Sequence, residues 1–467
     1  IGHNALGGNI LGSSNVAIGK DALEVMNKDA NTYNVAVGTE SGSAVTTGVE
    51  NTLIGGLSGL FATTADGSTF VGHKAGQGIT GAKLTGNNNV AVGESAGLLL
   101  QGAAAQNTLI GAKAGDAITT AADNTAVGFQ ALTSTNTGHS NVAMGTNALN
   151  ANTGGLRNTG IGFQALANNI GAHDNAALGH NAGVNLTSGA ENVSVGSKAL
   201  QAANTGANNV AIGFEALIAD TKGFSGVAVG AFALLSQNFT SNTDSHNVAV
   251  GINAGKFATT ATDSTFIGAN AGKGITGAKL TGNVNTAVGS SAGLRLQGTA
   301  DENVMVGSLA GQNVTTGSGN VCIGLSAETS AVNSTNQIVI GESVTGVGNN
   351  NFTFGVGSSD SNIDFGETSI TAPSDQRYKE DITTATAGLS FINDLRPVTF
   401  NWKPNSEFPK HYNDYNEHEN NMDTETNLYG MIAQDVEKAL DKVGPVSYTH
   451  LRAHETVLDL VCRLLLE

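Results

Sequence analysis

Charged, aromatic, proline and cysteine residues are all scarce in this chain of 467 residues. Charged residues make up 13% of it and aromatic residues 5%. The two cysteines, Cys322 and Cys462, lie too far apart in sequence to indicate a disulfide framework or a zinc site. The formal net charge of −17, with no basic track along the chain, gives nucleic-acid binding no electrostatic basis. No apolar run has the length of a membrane span, so no membrane insertion is expected.

Glycine is abundant, with 63 residues, and it recurs behind an aliphatic residue at a nearly constant spacing. The usual step is 17 residues, with some steps of 18, 19 or 21. Ile, Val, Leu or Met precedes each of these glycines, Ala or Ser follows three residues later until Val344, and Asn usually stands four residues before. The repeat glycines are Gly2, Gly19, Gly38, Gly55, Gly72, Gly93, Gly111, Gly128, Gly145, Gly162, Gly179, Gly196, Gly213, Gly230, Gly251, Gly268, Gly289, Gly307, Gly324 and Gly341.

This period predicts a mainly β fold, a parallel β-solenoid with one coil per repeat. Runs such as Val-Ala-Ile are β-prone and too short for helices. Glycine permits a positive φ at a corner, and asparagine tolerates the left-handed conformation and hydrogen-bonds its own backbone at turns. Small residues three positions after the glycine predict a narrow interior. Coils stacked at about 4.8 Å give a rod of roughly 90–100 Å.

Two other interpretations of the repeats are less well supported. Gly/Asn/Thr richness alone is typical of disordered segments, but disorder does not require an aliphatic residue in every repeat. The unit Val-Gly-x-x-Ala also matches one turn of the hexapeptide acyltransferase helix. That helix normally shows the hexapeptide three times per coil, whereas it occurs here once per repeat.

The narrow interior and a long internal duplication indicate a structural shaft. So thin a core buries few apolar side chains per coil, which predicts that the coils also pack against other copies of the chain. Residues 62–102 and 258–298 are nearly identical in sequence. A solenoid tolerates such a block copy because each coil contacts only its neighbours, whereas an enzyme core rarely survives one.

The repeat array, residues 1–341, resembles the head repeats of trimeric autotransporter adhesins and the similar arrays of phage and prophage tail fibres. The resemblance implies a left-handed parallel β-roll formed by three chains. It says little about the ligand.

The composition changes after residues 342–372, which form a connector. Its segments Asn351–Phe354 and Ile363–Phe365 alternate like short strands. Three motifs follow: SDQRYKEDI from Ser374, LRPVTFNWK from Leu395 and YGMIAQDVEKAL from Tyr429. In this order they resemble the endosialidase-type intramolecular chaperone domain found at the C-terminus of phage tail fibres and tailspikes. The resemblance implies a small α+β domain that assembles the preceding fibre into a trimer and then cuts itself off.

The same resemblance assigns the reacting residues. Ser374 matches the nucleophile of the family and Lys379 its general base, and cleavage falls between Pro373 and Ser374. Asp375 and Arg377 are expected to support the turn rather than to react. The cut is a single turnover within the chain, so no external substrate, cofactor or metal is expected.

The other C-terminal residues are expected either to have structural roles or to be a non-native tail. Gln434 and Asp435 are expected at a strand-to-helix junction, and the loop from Pro404 to Leu428 is expected to be a solvated hinge rather than a metal site. The predicted chaperone domain, residues 373–444, lacks the further strands and long helix of the family. Residues 445–467 resemble a translated adaptor sequence and are expected to be a non-native tail.

The function predicted from these features is a trimeric tail-fibre shaft on a virion that contacts a receptor or glycan on the host surface. One alternative is a bacterial surface adhesin with the same repeats. Another is the non-catalytic part of a glycan-degrading tailspike, and a third is a membrane-tethered transcription factor released by the same cleavage, which the acidic repeat array opposes.

Overall fold

A computed structural model describes residues 1–9, 11–135, 137–367, 389–411, 415–420 and 422–442. The chain divides into two compact units, residues 1–372 and 373–467.

The first unit is a β-solenoid in which each repeat contributes one short strand to a single long parallel sheet. The strand Val142–Met144, for example, pairs in register with Thr159–Ile161, so that Ala143 stands beside Gly160. Each glycine nitrogen bonds back to the preceding coil, as Gly145 N does to Val127 O at 2.8 Å. The prediction of a mainly β solenoid with coils of about 17 residues is therefore confirmed.

The strands of this sheet follow one another in chain order. They are β1 Val16–Ile18, β2 Val35–Val37, β3 Thr52–Ile54, β4 Thr69–Val71, β5 Val90–Val92, β6 Thr108–Ile110, β7 Thr125–Val127, β8 Val142–Met144, β9 Thr159–Ile161, β10 Ala176–Leu178, β11 Val193–Val195, β12 Val210–Ile212, β14 Val227–Val229, β16 Val248–Val250, β17 Thr265–Ile267, β18 Thr286–Val288, β19 Val304–Val306, β20 Val321–Ile323, β21 Gln337–Glu342, β22 Asn351–Val356 and β23 Ser359–Asp364. A separate small sheet pairs β13 Gly223–Phe224 with β15 Thr243–Asp244.

The glycine of each repeat is required by the distance between coils as well as by its conformation. Gly145 has φ 134°, and a Cβ atom there would lie 2.5 Å from the carbonyl oxygen of Gly162 in the next coil. No side chain fits this approach. The prediction that glycine is needed for a positive φ at this position is thus correct. The close approach of the glycine in the next coil is a second reason why no other residue fits.

The asparagine that stands four residues before most repeat glycines has a different role from the one expected. Asn141 is fully buried, and the residue with positive φ is the preceding Ser140, at 59°. The backbone N–H of Asn158 donates to Asn141 Oδ1 at 2.9 Å, and Asn158 Nδ2 donates to Ala172 O at 2.7 Å. These side chains form an asparagine ladder inside the solenoid, so the expectation of a left-handed asparagine was wrong.

The interior is narrow, as predicted, and several positions of the repeat supply its large side chains. One is the middle of the strand, as with the buried Phe70. Another lies four residues after the repeat glycine, as with the buried Leu149 and Leu166, both in the left-handed conformation. In other coils that position is glycine, and a large side chain comes three residues later. A Cβ on Gly115 would lie 2.7 Å from Ile118 Cδ1, so the isoleucine fills the space.

The connector ends the solenoid with two longer strands. β22 continues the parallel sheet beside β21, and β23 returns antiparallel to β22. Phe352 and Phe354 on β22 have ring centroids 5.0 Å apart. The short strands expected in this segment are present.

The second unit contains, among its described residues, an antiparallel hairpin and two helices. The helices are α1 Leu389–Asp394 and α2 Ala433–Asp441, the strands are β24 Pro397–Phe400 and β25 Leu428–Met431, and a short 3-10 turn covers Asn405–Glu407. Val436 and Ala439 of α2 are buried.

Candidate functional site

The five residues assigned to the cleavage site lie outside the residues that the structure describes. These are Pro373, Ser374, Asp375, Arg377 and Lys379. Their assignment stays a prediction. The described part of the second unit shows how the other two motifs of this region are placed.

The two motifs that follow SDQRYKEDI come together as one hairpin. β24 belongs to LRPVTFNWK and β25 to YGMIAQDVEKAL, and the two strands pair from Pro397 with Met431 to Phe400 with Leu428. Their separation in sequence is bridged by the loop after Trp402. The motifs are therefore parts of one structural element.

An ion pair also joins these motifs. Arg396, just before β24, donates from Nη2 to Asp435 Oδ2 at 2.6 Å and from Nε to the same oxygen at 3.1 Å. The hydrogen bond from Arg396 holds the pKa of the Asp435 carboxyl below its ordinary value. Asp435 lies in the first turn of α2, where a negative charge also suits the helix dipole.

Aromatic packing covers one side of the hairpin. Phe400 and Trp402 make an edge-to-face contact with ring centroids 5.4 Å apart. A Cβ on Gly430 would lie 2.8 Å from Phe400 Cε1, so the absent side chain leaves room for the ring. This packing explains why the motifs combine glycine with aromatic residues.

The expected strand-to-helix junction at Gln434 and Asp435 is present between β25 and α2. The N–H groups of Asp435 and Val436 both donate to Ile432 O, at 2.9 and 3.1 Å, and start the helix. Among the described residues of the chain, no group of three His, Cys, Asp or Glu side chains is placed to hold a metal ion.

The first unit carries a row of aliphatic side chains on its surface. In β10 the small Ala177 points inward and is buried, whereas Leu178 is 50% exposed. Ile110 is likewise 40% exposed, and Ile212 and Ile323 are each 37% exposed, beside a buried mid-strand residue. We call these residues immediately before the repeat glycines the aliphatic row. The members exposed by more than a third are Ile1, Ile18, Ile54, Ile110, Met144, Leu178, Ile212, Val250, Ile267, Val306, Ile323 and Ile340.

The aliphatic row follows from alternation along each short strand. The middle side chain, alanine in many strands but phenylalanine in β4 and β17, points inward, and both of its neighbours then point outward. A continuous apolar row of this kind on a surface marks an interaction site.

The family comparison falls on the second unit. Residues 374–445 match the family model described as Chaperone of endosialidase. The prediction of a C-terminal chaperone domain of this kind is confirmed. No curated protein and no solved structure matches the chain. Within the described residues, no helix is both long and apolar enough to cross a membrane.

Proposed function

We propose that the chain is a structural fibre protein whose solenoid is a shaft and whose C-terminal domain promotes its assembly into a homotrimer. The observation that carries the proposal is the joint presence of the chaperone-family segment and the exposed aliphatic row. A segment that assists assembly is useful where a surface must be buried between chains.

The aliphatic row supplies that surface. Its side chains recur once per coil, at about 4.8 Å intervals, along the whole sheet. Each is partly exposed in the single chain, and burial against other chains removes apolar area from water at about 25 cal/mol per Å². The trimeric state is taken from the resemblance of the repeats to three-chain β-rolls.

The domain then removes itself by autoproteolysis. Ser374 Oγ attacks the carbonyl carbon of Pro373, and a neutral Lys379 Nζ takes the hydroxyl proton. The acyl group moves from the Ser374 nitrogen to its oxygen, and the released α-amine takes up a proton. Water hydrolyses the ester, which leaves a carboxylate on Pro373 and restores the hydroxyl of Ser374. Loss of the chaperone makes the trimer kinetically hard to unfold.

The shaft is proposed to belong to a virion tail fibre and to contact a receptor or glycan on the host surface. A bacterial surface adhesin with the same repeats, or the non-catalytic part of a tailspike, has the same architecture. The family match favours a phage fibre or tailspike over a surface adhesin, since the chaperone domain resembles those at the C-terminus of phage fibres and tailspikes.

Mass spectrometry of the purified chain tests the cleavage. We expect a fragment beginning at Ser374, and we expect Ser374→Ala and Lys379→Ala to abolish it because they remove the nucleophile and the base. Ser369→Ala is the matched control and should cleave normally. An uncut parent chain, or cleavage of the Ser374→Ala variant at the parent rate, would show that the assigned chemistry is wrong.

A further inference from the structure

A long depression follows the surface of the solenoid over successive coils of the first unit. Its volume is about 680 Å³. Two rows of side chains border it, one six residues and one eight residues after the repeat glycines. The lining residues are Ala151, Asn168, Ile170, Asn185, Thr187, Ala202, Asn204, Thr221 and Lys222.

A second depression of about 520 Å³ continues the first on the following coils. It is lined by Ile218, Ala219, Leu235, Ser236, Asn238, Thr259 and Lys279. Thr221 of the first depression donates from Oγ1 to Asn238 Oδ1 of the second at 2.9 Å. Because this bond joins their walls, we treat the two as one feature, the amide groove.

Hydrogen bonds between coils leave one class of donor unused along the amide groove. Asn168 Nδ2 donates to Asn185 Oδ1 at 2.9 Å, and the Thr187 hydroxyl donates to the Asn204 side-chain oxygen. The amide oxygens of Asn185, Asn204 and Asn238 are thus engaged. Their exposed amide nitrogens donate to no group among the described residues. Three coils of the amide groove therefore carry an amide N–H that is free to donate to a ligand.

The charge of the amide groove differs from that of the chain as a whole. The formal net charge of the chain is −17, yet no carboxylate lines either depression. Lys222 and Lys279 are the lining cations, and Lys222 Nζ donates to Thr240 O at 3.2 Å. The lining is therefore dominated by neutral amides, hydroxyls and methyl groups.

We propose that the amide groove binds an extended, uncharged polysaccharide. Sugar hydroxyls accept from the amide donors and donate to the threonine oxygens, and the methyl groups of Ala151, Ala202 and Ile170 contact the apolar faces of sugar rings. A polymer fits better than a single sugar because a polar side chain stands eight residues after the repeat glycine in successive coils, as with Thr187, Asn204 and Thr221. This inference rests on the proposed role in host attachment and names the chemical class of its ligand.

Binding to an array of linear polysaccharides, half neutral and half acidic, tests the proposal with the full chain. We expect binding to neutral polymers that changes little between low and high salt, because screening acts on charges. Ala202→Tyr places a ring in the amide groove and should weaken binding at least tenfold. Ala44→Tyr is the matched control, since Ala44 also lies six residues after a repeat glycine but outside the groove, and it should bind like the parent.

Three results would overturn the proposal: no binding to any neutral polymer, binding to acidic polymers alone, or equal binding by both tyrosine variants. The mass of the same preparation is measured by sedimentation before the array is used. A parent that assembles but binds no neutral polymer contradicts the amide groove alone. A parent that remains a single chain contradicts the proposed fibre function instead.

Discussion

At the scale of single residues, the asparagine ladder holds successive coils together. A ladder amide bonds two backbone groups of the following coil. Asn158, for example, receives the N–H of Asn175 at 3.1 Å and donates to Ala172 O at 2.7 Å. Burial makes these hydrogen bonds costly to lose, because the groups left without a partner cannot bond to water instead.

Asn158→Ala is therefore expected to lower the free energy of unfolding by about 2–4 kcal/mol, since it leaves two buried backbone groups unsatisfied. Denaturant unfolding followed by circular dichroism measures the change. Asn185→Ala, which removes an exposed amide, is the control and should shift stability by less than about 0.5 kcal/mol. Equal effects of the two substitutions would show that the asparagine ladder does not stabilise the solenoid.

The sequence predicted the importance of asparagine but not its role. Its regular spacing indicated a turn residue, because Asn is common where φ is positive. The same spacing suits a ladder, in which identical side chains meet at a fixed repeat. Nothing in a single repeat distinguishes the two, whereas stacking of repeats does. The left-handed Leu149 was likewise unpredictable, because leucine rarely adopts that conformation.

At the scale of the element, the coil is defined by the close contact between repeat glycines. The sequence predicted this part well, because an aliphatic–glycine pair in every repeat is a strong signal of stacked coils. It did not predict the direction of the aliphatic side chains. The buried alanine or serine three residues after most repeat glycines already indicated a narrow interior, but it does not show which side chains of a strand point inward.

Gly145→Ala should break the contact between two coils. The new methyl group would lie 2.5 Å from Gly162 O, and φ 134° is unfavourable for alanine, so a loss of more than about 2 kcal/mol is expected. Thermal unfolding monitored by circular dichroism measures it.

Gly171→Ala is the control, since a Cβ there meets no atom within 4 Å. This variant should unfold like the parent. If Gly145→Ala were equally stable, the close stacking of coils described here would be incorrect.

At the scale of the whole molecule, a solenoid with an exposed aliphatic row is followed along the chain by a segment that matches the chaperone family. The three C-terminal motifs indicated that family from sequence, and residues 374–445 match it. The aliphatic row and the amide groove were not predicted, since both arise only when side chains from different repeats line up on one surface. The cleavage residues Ser374 and Lys379 rest on the resemblance.

The central claim is that the aliphatic row is buried between identical chains, and sedimentation equilibrium tests it most directly. The parent protein is predicted to sediment at three times the mass of one chain. The double variant Leu178→Lys with Ile212→Lys should sediment as a single chain, because two charges then interrupt the row. Val332→Lys, at an equally exposed position outside the row, should behave like the parent. A parent of single-chain mass, or a double variant that still forms trimers, would contradict the account.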